Sequence, residues 1–131
     1  MIKPVILCVD DEVVLLKSLE IELQAAFGDT YLYEFAESAD EAMEIIDELT
    51  DEAVPILMIV SDWLMPGMKG DEFLIYIHKK YPNIVKVMLT GQADEEAIER
   101  AEKYANLYNC LHKPWNSQEL IETIRSALAK L

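Results

Sequence analysis

Ile56-Leu57-Met58-Ile59-Val60-Ser61-Asp62-Trp63-Leu64-Met65-Pro66-Gly67-Met68-Lys69-Gly70 is the stretch that decides how this chain folds. Its first five residues form an apolar run that reads as a buried β-strand. The run ends at a carboxylate, Asp62. The proline and glycines behind it make a loop. Phe73, Leu74, Ile77 and Tyr81 then recur on one side of a helix, which Pro82-Asn83 closes.

Apolar runs alternate with helical patterns five times along the chain. Upstream, Val5 to Val9 reads as the first strand and ends at Asp10-Asp11. A helix begins near Glu12 with Leu16, Leu19, Leu23 and Phe27 on one face, and Gly28-Asp29 stops it. Tyr31 to Ala36 reads as the second strand. Ser38-Ala39-Asp40-Glu41 has capping-box spacing, and Ala42, Ile45, Ile46 and Leu49 form the buried stripe of the helix it opens. Downstream, Ile84 to Leu89 runs into Thr90-Gly91. Asp94 opens a helix with a thin stripe of Ala97, Ala101 and Tyr104. Leu107 to Leu111 precedes Lys113-Pro114. Asn116-Ser117-Gln118-Glu119 again has capping-box spacing, and Leu120, Ile124, Ala127 and Leu131 mark the last helix. Strands alternating with helices imply an α/β fold: a parallel sheet wound on both faces by right-handed crossovers. Residues 1–131 read as one domain, without internal repeat, low-complexity tract or linker.

Composition narrows the function. The chain is 52% hydrophobic and 27% charged, which suits a packed core rather than disorder. Its 25 acidic and 11 basic residues give a formal net charge of −14. Such a surface repels phosphate backbones, so direct nucleic-acid binding is not expected. No apolar run approaches the ~20 residues of a membrane span, and no signal-peptide pattern follows Met1. A cytoplasmic protein is expected. Cys8 and Cys110 both fall inside expected strands and read as small buried hydrophobes, with no C-x-x-C spacing for a thiol metal site.

In a parallel sheet the strand ends of one sense share an edge. Asp10-Asp11, Asp62, Thr90 and Lys113 therefore meet there: three carboxylates, a hydroxyl and an ammonium. Two carboxylates ~5 Å apart repel by roughly 3 kcal/mol at an effective dielectric of ~20, so a cation is expected among them. Oxygen ligands without His or Cys favour a hard ion such as magnesium, with manganese as the alternative. A carboxylate can also be a nucleophile toward phosphorus. The plainer alternative for Asp10-Asp11 is a helix cap. Trp63 and Trp115 read as loop packing, and His78 and His112 as surface or loop residues.

Asp-Asp after the first strand, Asp62 followed by Met-Pro-Gly, Thr90-Gly91 and Lys113-Pro114, in that order, resemble the receiver domain of bacterial two-component response regulators. The resemblance covers essentially the whole chain. It implies a flavodoxin-like (βα)5 fold with sheet order 2-1-3-4-5 and a ligand site at the switch point outside the strand ends. It further implies that Asp62 is the phosphoacceptor, with Thr90 and Lys113 contacting the phosphoryl group. Asp11, Asp62 and the backbone carbonyl of Leu64 would ligate the metal, and Asp10 would act largely through water. Gly91 would leave room for the phosphoryl group. The Lys113-Pro114 peptide would be cis. The implied partner is a sensor histidine kinase or phosphotransfer protein, docking on the first-helix face of Val14, Ser18 and Ile21. The implied output surface is the fourth helix, fifth strand and fifth helix, which also offers a homodimer interface, with the Thr90–Asp94 loop moving. Cys110 stands where the family has a switching aromatic, and Tyr108 lies two residues before it on the same expected strand face.

Two rival functions share parts of this pattern. A magnesium-dependent phosphohydrolase with an aspartyl nucleophile usually carries an acid/base carboxylate two residues past it, where this chain has Leu64, and a cap that no insertion here supplies. A receiver-like module used only for docking or dimerisation would not need the full acidic set with Lys113. The expectation is thus a phosphate-accepting domain that is not a turnover enzyme. In receivers the residues two past the aspartate and two past the threonine, here Leu64 and Gln92, help set how long the phosphate survives. Leucine cannot orient an attacking water, so slow self-hydrolysis is expected.

Overall fold

A computed structural model describes residues 2–92 and 94–131; Ala93, within the Thr90–Asp94 loop, and Met1 lie outside them. Five strands, β1 (Val5–Val9), β2 (Leu32–Ala36), β3 (Ile56–Asp62), β4 (Val85–Thr90) and β5 (Asn109–His112), alternate with five helices. The helices are α1 (Val13–Phe27), α2 (Ala39–Asp51), α3 (Gly70–Lys80), α4 (Glu95–Tyr104) and α5 (Ser117–Ala129). All strand pairs are parallel, in the order β2-β1-β3-β4-β5. β1 is buried at every position, as expected for an inner strand covered on both faces.

The alternation of side chains splits the core into two layers. Ile6, Cys8, Val60, Val87 and Leu111 face α1 and α5, meeting Leu19, Leu23, Leu120 and Ile124. Leu7, Val9, Ile59 and Met88 face α2, α3 and α4, meeting Ile46, Phe73, Ile77 and Ala101. Three helices start as their sequences dictate. The side chains of Ser38, Asp94 and Asn116 each accept a backbone N–H three residues on, at 3.1 Å. Gly28 ends α1 with φ of 57°, a conformation that favours glycine.

Four expectations need correction. β3 extends two residues beyond its apolar run, because Ser61 and Asp62 pair with Met88 and Leu89 of β4. Tyr104 and Leu131 are exposed rather than buried. Ala105 fills the end of the α4 stripe instead, while Lys103 lies over the Tyr104 ring. Tyr108 and Cys110 do not share a face: Cys110 packs on the α4 side and Tyr108 on the α5 side. β5 begins only at Asn109, so strand alternation does not reach Tyr108. Its hydroxyl pairs with Ser126 of α5 at 3.0 Å.

Candidate functional site

The first and third strands deliver their carboxylates to the same edge. Asp10 follows β1, held by its N–H to the Ala36 carbonyl at 3.0 Å. Its Oδ1 accepts the Glu12 N–H at 2.9 Å, so it does serve the start of α1. Its Oδ2 nevertheless accepts from the Lys113 ammonium at 2.8 Å, from 103 residues away. Asp62 ends β3 and is buried, and its Oδ1 lies 2.9 Å from the same ammonium. Asp11 is exposed at the rim. One carboxylate oxygen from each of Asp10, Asp11 and Asp62 lies within 4.8 Å of the other two.

The fourth and fifth strands complete the edge. The Lys113 N–H donates to the Thr90 carbonyl at 2.8 Å, and the Lys113-Pro114 peptide is cis. Thr90 is buried at the end of β4, and its hydroxyl is engaged with the backbone of Gln92, both donating to the carbonyl and accepting the N–H. Leu64 is half exposed two residues past Asp62. A Cβ on Gly91 would lie 3.9 Å from Lys113 Cβ, an ordinary contact distance that a small side chain would not strain.

Charge and burial work against each other in this cluster. Burial pushes the Asp62 carboxyl up to about 6, the Lys113 hydrogen bond opposes it, and the charges of Asp10 and Asp11 add to the rise. At Lys113 burial pulls downward, yet its bonds to Asp10 and Asp62 outweigh that and hold the ammonium above its ordinary value. One ammonium against three carboxylates leaves negative charge uncompensated. An all-oxygen acidic set of this kind fits a hard divalent cation. Cys8 takes no part, since burial foremost pushes its thiol up to about 12.

The structure also gives weight to residues that periodicity does not mark. Gly70 begins α3 against the end of β3, donating its N–H to the Trp63 carbonyl at 2.7 Å. A Cβ there would lie 2.2 Å from the Asp62 carbonyl oxygen. Lys86 is buried in β4 with its ammonium 2.7 Å from His78 Nδ1. His78 is thus half-buried on α3 rather than a simple surface residue. The available signal was a single cation inside an apolar central strand. Trp63 and Trp115 tie their loops to helices rather than packing within the loops: the Trp63 indole N–H donates to Asp71 of α3 and the Trp115 indole N–H to Glu22 of α1.

Sheet order and acidic edge together define a doubly wound α/β domain with a three-carboxylate cluster at the carboxyl ends of its strands. Residues 6–125 match the response regulator receiver domain, and the chain belongs to that family. It is 35% identical over 91 residues to the hydrogenase transcriptional regulatory protein HoxA of Cupriavidus necator, covering 70% of this chain and 18% of that protein. Among solved structures it is similar to the signal receiver domain of an HD domain-containing protein from Pseudomonas fluorescens. The TM-score is 0.87 at 31% identity, covering 98% of this chain and 96% of the other. A CheY-like receiver domain protein from Methanospirillum hungatei gives 0.84 at 30% identity, with 99% and 96% covered. The chain spans between 10% and 50% of the length of the curated relatives it matches.

Proposed function

We propose that residues 1–131 act as a single receiver in which Asp62 accepts a phosphoryl group from the phosphohistidine of a histidine kinase or phosphotransfer protein. The observation that carries this reading is the Lys113 ammonium, held within 2.9 Å of both Asp62 and Asp10 in a three-carboxylate cluster. With its carboxyl at about 6, Asp62 is ionised at neutral pH and able to attack. The P–N bond breaks as an Asp62 oxygen bonds to phosphorus, and the imidazole leaves with its proton. Lys113 turns its charge to a phosphoryl oxygen. Thr90 exchanges its bonds to Gln92 for one to another oxygen. Asp11, Asp62 and the Leu64 carbonyl would hold magnesium or manganese, and Asp10 would act through water. When bound, that ion neutralises charge on the phosphoryl oxygens.

The product stays on the protein until water removes it, so the domain does not turn over external substrates. The kinase or phosphotransfer helix docks on α1, where Val14 and Ile21 are exposed. There a groove of about 420 Å³ between Ile21 and Trp115 reaches Lys113. Output, and any homodimer, uses α4, β5 and α5. Neither nucleic acid nor membrane is a direct partner. The charge of −14 supports the first exclusion, and among the described residues no helix is long and apolar enough to cross a membrane.

Intact-mass measurement after acetyl phosphate and magnesium tests this. One added phosphoryl mass is expected, and none in Asp62→Asn. No adduct, or one that persists in Asp62→Asn, favours a docking module; steady turnover of a general phosphatase substrate favours a hydrolase.

A further inference from the structure

A chain of polar side chains leads from the phosphoacceptor's neighbour to α4 without passing through Thr90. Trp63 directly follows Asp62 and is buried. Its backbone is fixed on both sides: the N–H donates to the Leu89 carbonyl at 2.9 Å and the carbonyl accepts from Gly70 at 2.7 Å. Its indole N–H donates to Oδ1 of Asp71 at 3.0 Å. Asp71, in the first turn of α3, is only 1% exposed. Its other oxygen accepts from both Nε and Nη2 of Arg100, at 3.2 and 3.0 Å. Arg100 lies midway along α4 and 29 residues further on.

The weight of this chain follows from what else holds α4. The fully buried side chains of the helix are two alanines, Ala97 and Ala101, with Ile98 partly buried against the same core layer. The facing position on β5 is Cys110, a small side chain. An element with so little apolar anchorage moves readily. A buried carboxylate, by contrast, demands its counter-charge. Arg100 is the cation on Asp71 among the described residues, so α4 cannot slide along α3 without either carrying that pair or breaking it. The other end of the same carboxylate is bonded to the residue whose peptide is continuous with Asp62.

We propose that Asp71 is a positioning residue of the phosphoacceptor site and that, through Arg100, it makes the placement of α4 depend on the state of Asp62. This rests on the reading of Asp62 as phosphoacceptor. It adds a route that the small side chain at position 110 leaves unshared. By reciprocity, loosening the link also changes how tightly the pocket holds a phosphoryl mimic.

Backbone amide spectra of the full chain, recorded with magnesium before and after beryllofluoride, test it. In the wild-type chain, amides of Asp10–Glu12, Asp62 and Lys113 shift, and so do those of α4. In Asp71→Asn and in Trp63→Phe the pocket amides still shift. The α4 response is roughly halved or less, and beryllofluoride affinity changes by about threefold or more. A merely structural role for Asp71 would lower thermal stability and leave the ratio of α4 to pocket shifts unchanged; that result overturns the proposal. Trp63→Phe keeps an aromatic ring there but loses the N–H donor and part of the buried indole volume; it decides the matter by the ratio of α4 to pocket shifts, which lost volume alone leaves unchanged, where Asp71→Asn fails to fold. Pocket shifts without α4 shifts in the wild type also overturn the proposal, while leaving the phosphoacceptor reading intact. Absence of pocket shifts in the wild type defeats both.

Discussion

The Lys113 ammonium lies 2.9 Å from Oδ1 of Asp62, the carboxylate proposed to meet both the cation and the phosphoryl group. Lysine therefore has two opposed effects. As a positive charge it competes with a divalent cation for the same oxygens. As a donor it would stabilise charge on a phosphoryl group transferred to Asp62. Lys113→Met is expected to bind magnesium about tenfold more tightly and to accept phosphate from acetyl phosphate at least about tenfold more slowly at saturating magnesium. Calorimetric titration gives the first quantity and intact mass against time the second. Weaker magnesium binding with an unchanged rate would remove Lys113 from both roles.

Gly70 makes a second, purely steric prediction. Its missing Cβ would stand 2.2 Å from the Asp62 carbonyl oxygen and 2.8 Å from Trp63 Cα, and both are backbone atoms that cannot rotate away. Gly70→Ala should cost about 3 kcal/mol, or roughly 10 °C in melting temperature. It should also slow phosphorylation, because the relief available is displacement of the β3 tip. A thermal melt within about 2 °C of wild type would show that α3 can back away freely.

What the sequence revealed and what it hid divide along physical lines. Strand and helix positions were readable because each follows from local periodicity and from caps such as Ser38, Asp94 and Asn116. The meeting of Asp10, Asp11, Asp62 and Lys113 was readable because a parallel sheet sends like ends to one edge. The hydroxyl of Thr90 was not, since its engagement with Gln92 depends on loop geometry. Tyr108 escaped because one residue's difference in where β5 begins decides which layer a side chain joins. Asp71 and Arg100 join two helices from positions 29 residues apart, a distance over which no periodic pattern speaks.

Lys86 gives a pH prediction whose sign is fixed by burial. Desolvation lowers its ammonium to about 8 in the folded chain, from an ordinary 10.5. Between these values the unfolded chain binds more protons than the folded one, so this group's contribution to stability rises as pH goes from about 8 to 10.5. Below 8 the full cost of the buried charge is present. Lys86→Met should therefore stabilise the protein at pH 7 by about 1–3 kcal/mol, with the gain shrinking toward pH 10.5. Its half-buried partner His78 is lowered, by burial first and then by the Lys86 charge. That adds a loss of stability as pH falls through and below its ordinary value of 6.5. Denaturant melts across pH resolve both; a gain from Lys86→Met that is flat to pH 10.5 would mean that the ammonium reaches water.

Leu64 is predicted to prolong the life of a phosphoryl group on Asp62. It lies two residues past Asp62 and is half exposed, and its side chain carries neither donor nor acceptor. Hydrolysis of an acyl phosphate needs a water aligned with phosphorus on the side away from the Asp62 oxygen. An amide at this position can hold that water, whereas an isobutyl group displaces it. Leu64→Asn should speed loss of phosphate by about tenfold, while leaving the rate of phosphorylation within a factor of about two, because the group acts on water and not on Asp62. The decay of the phosphorylated mass after removal of acetyl phosphate measures this directly. Equal lifetimes in the two proteins would shift control of hydrolysis to Gln92, whose backbone already occupies the Thr90 hydroxyl.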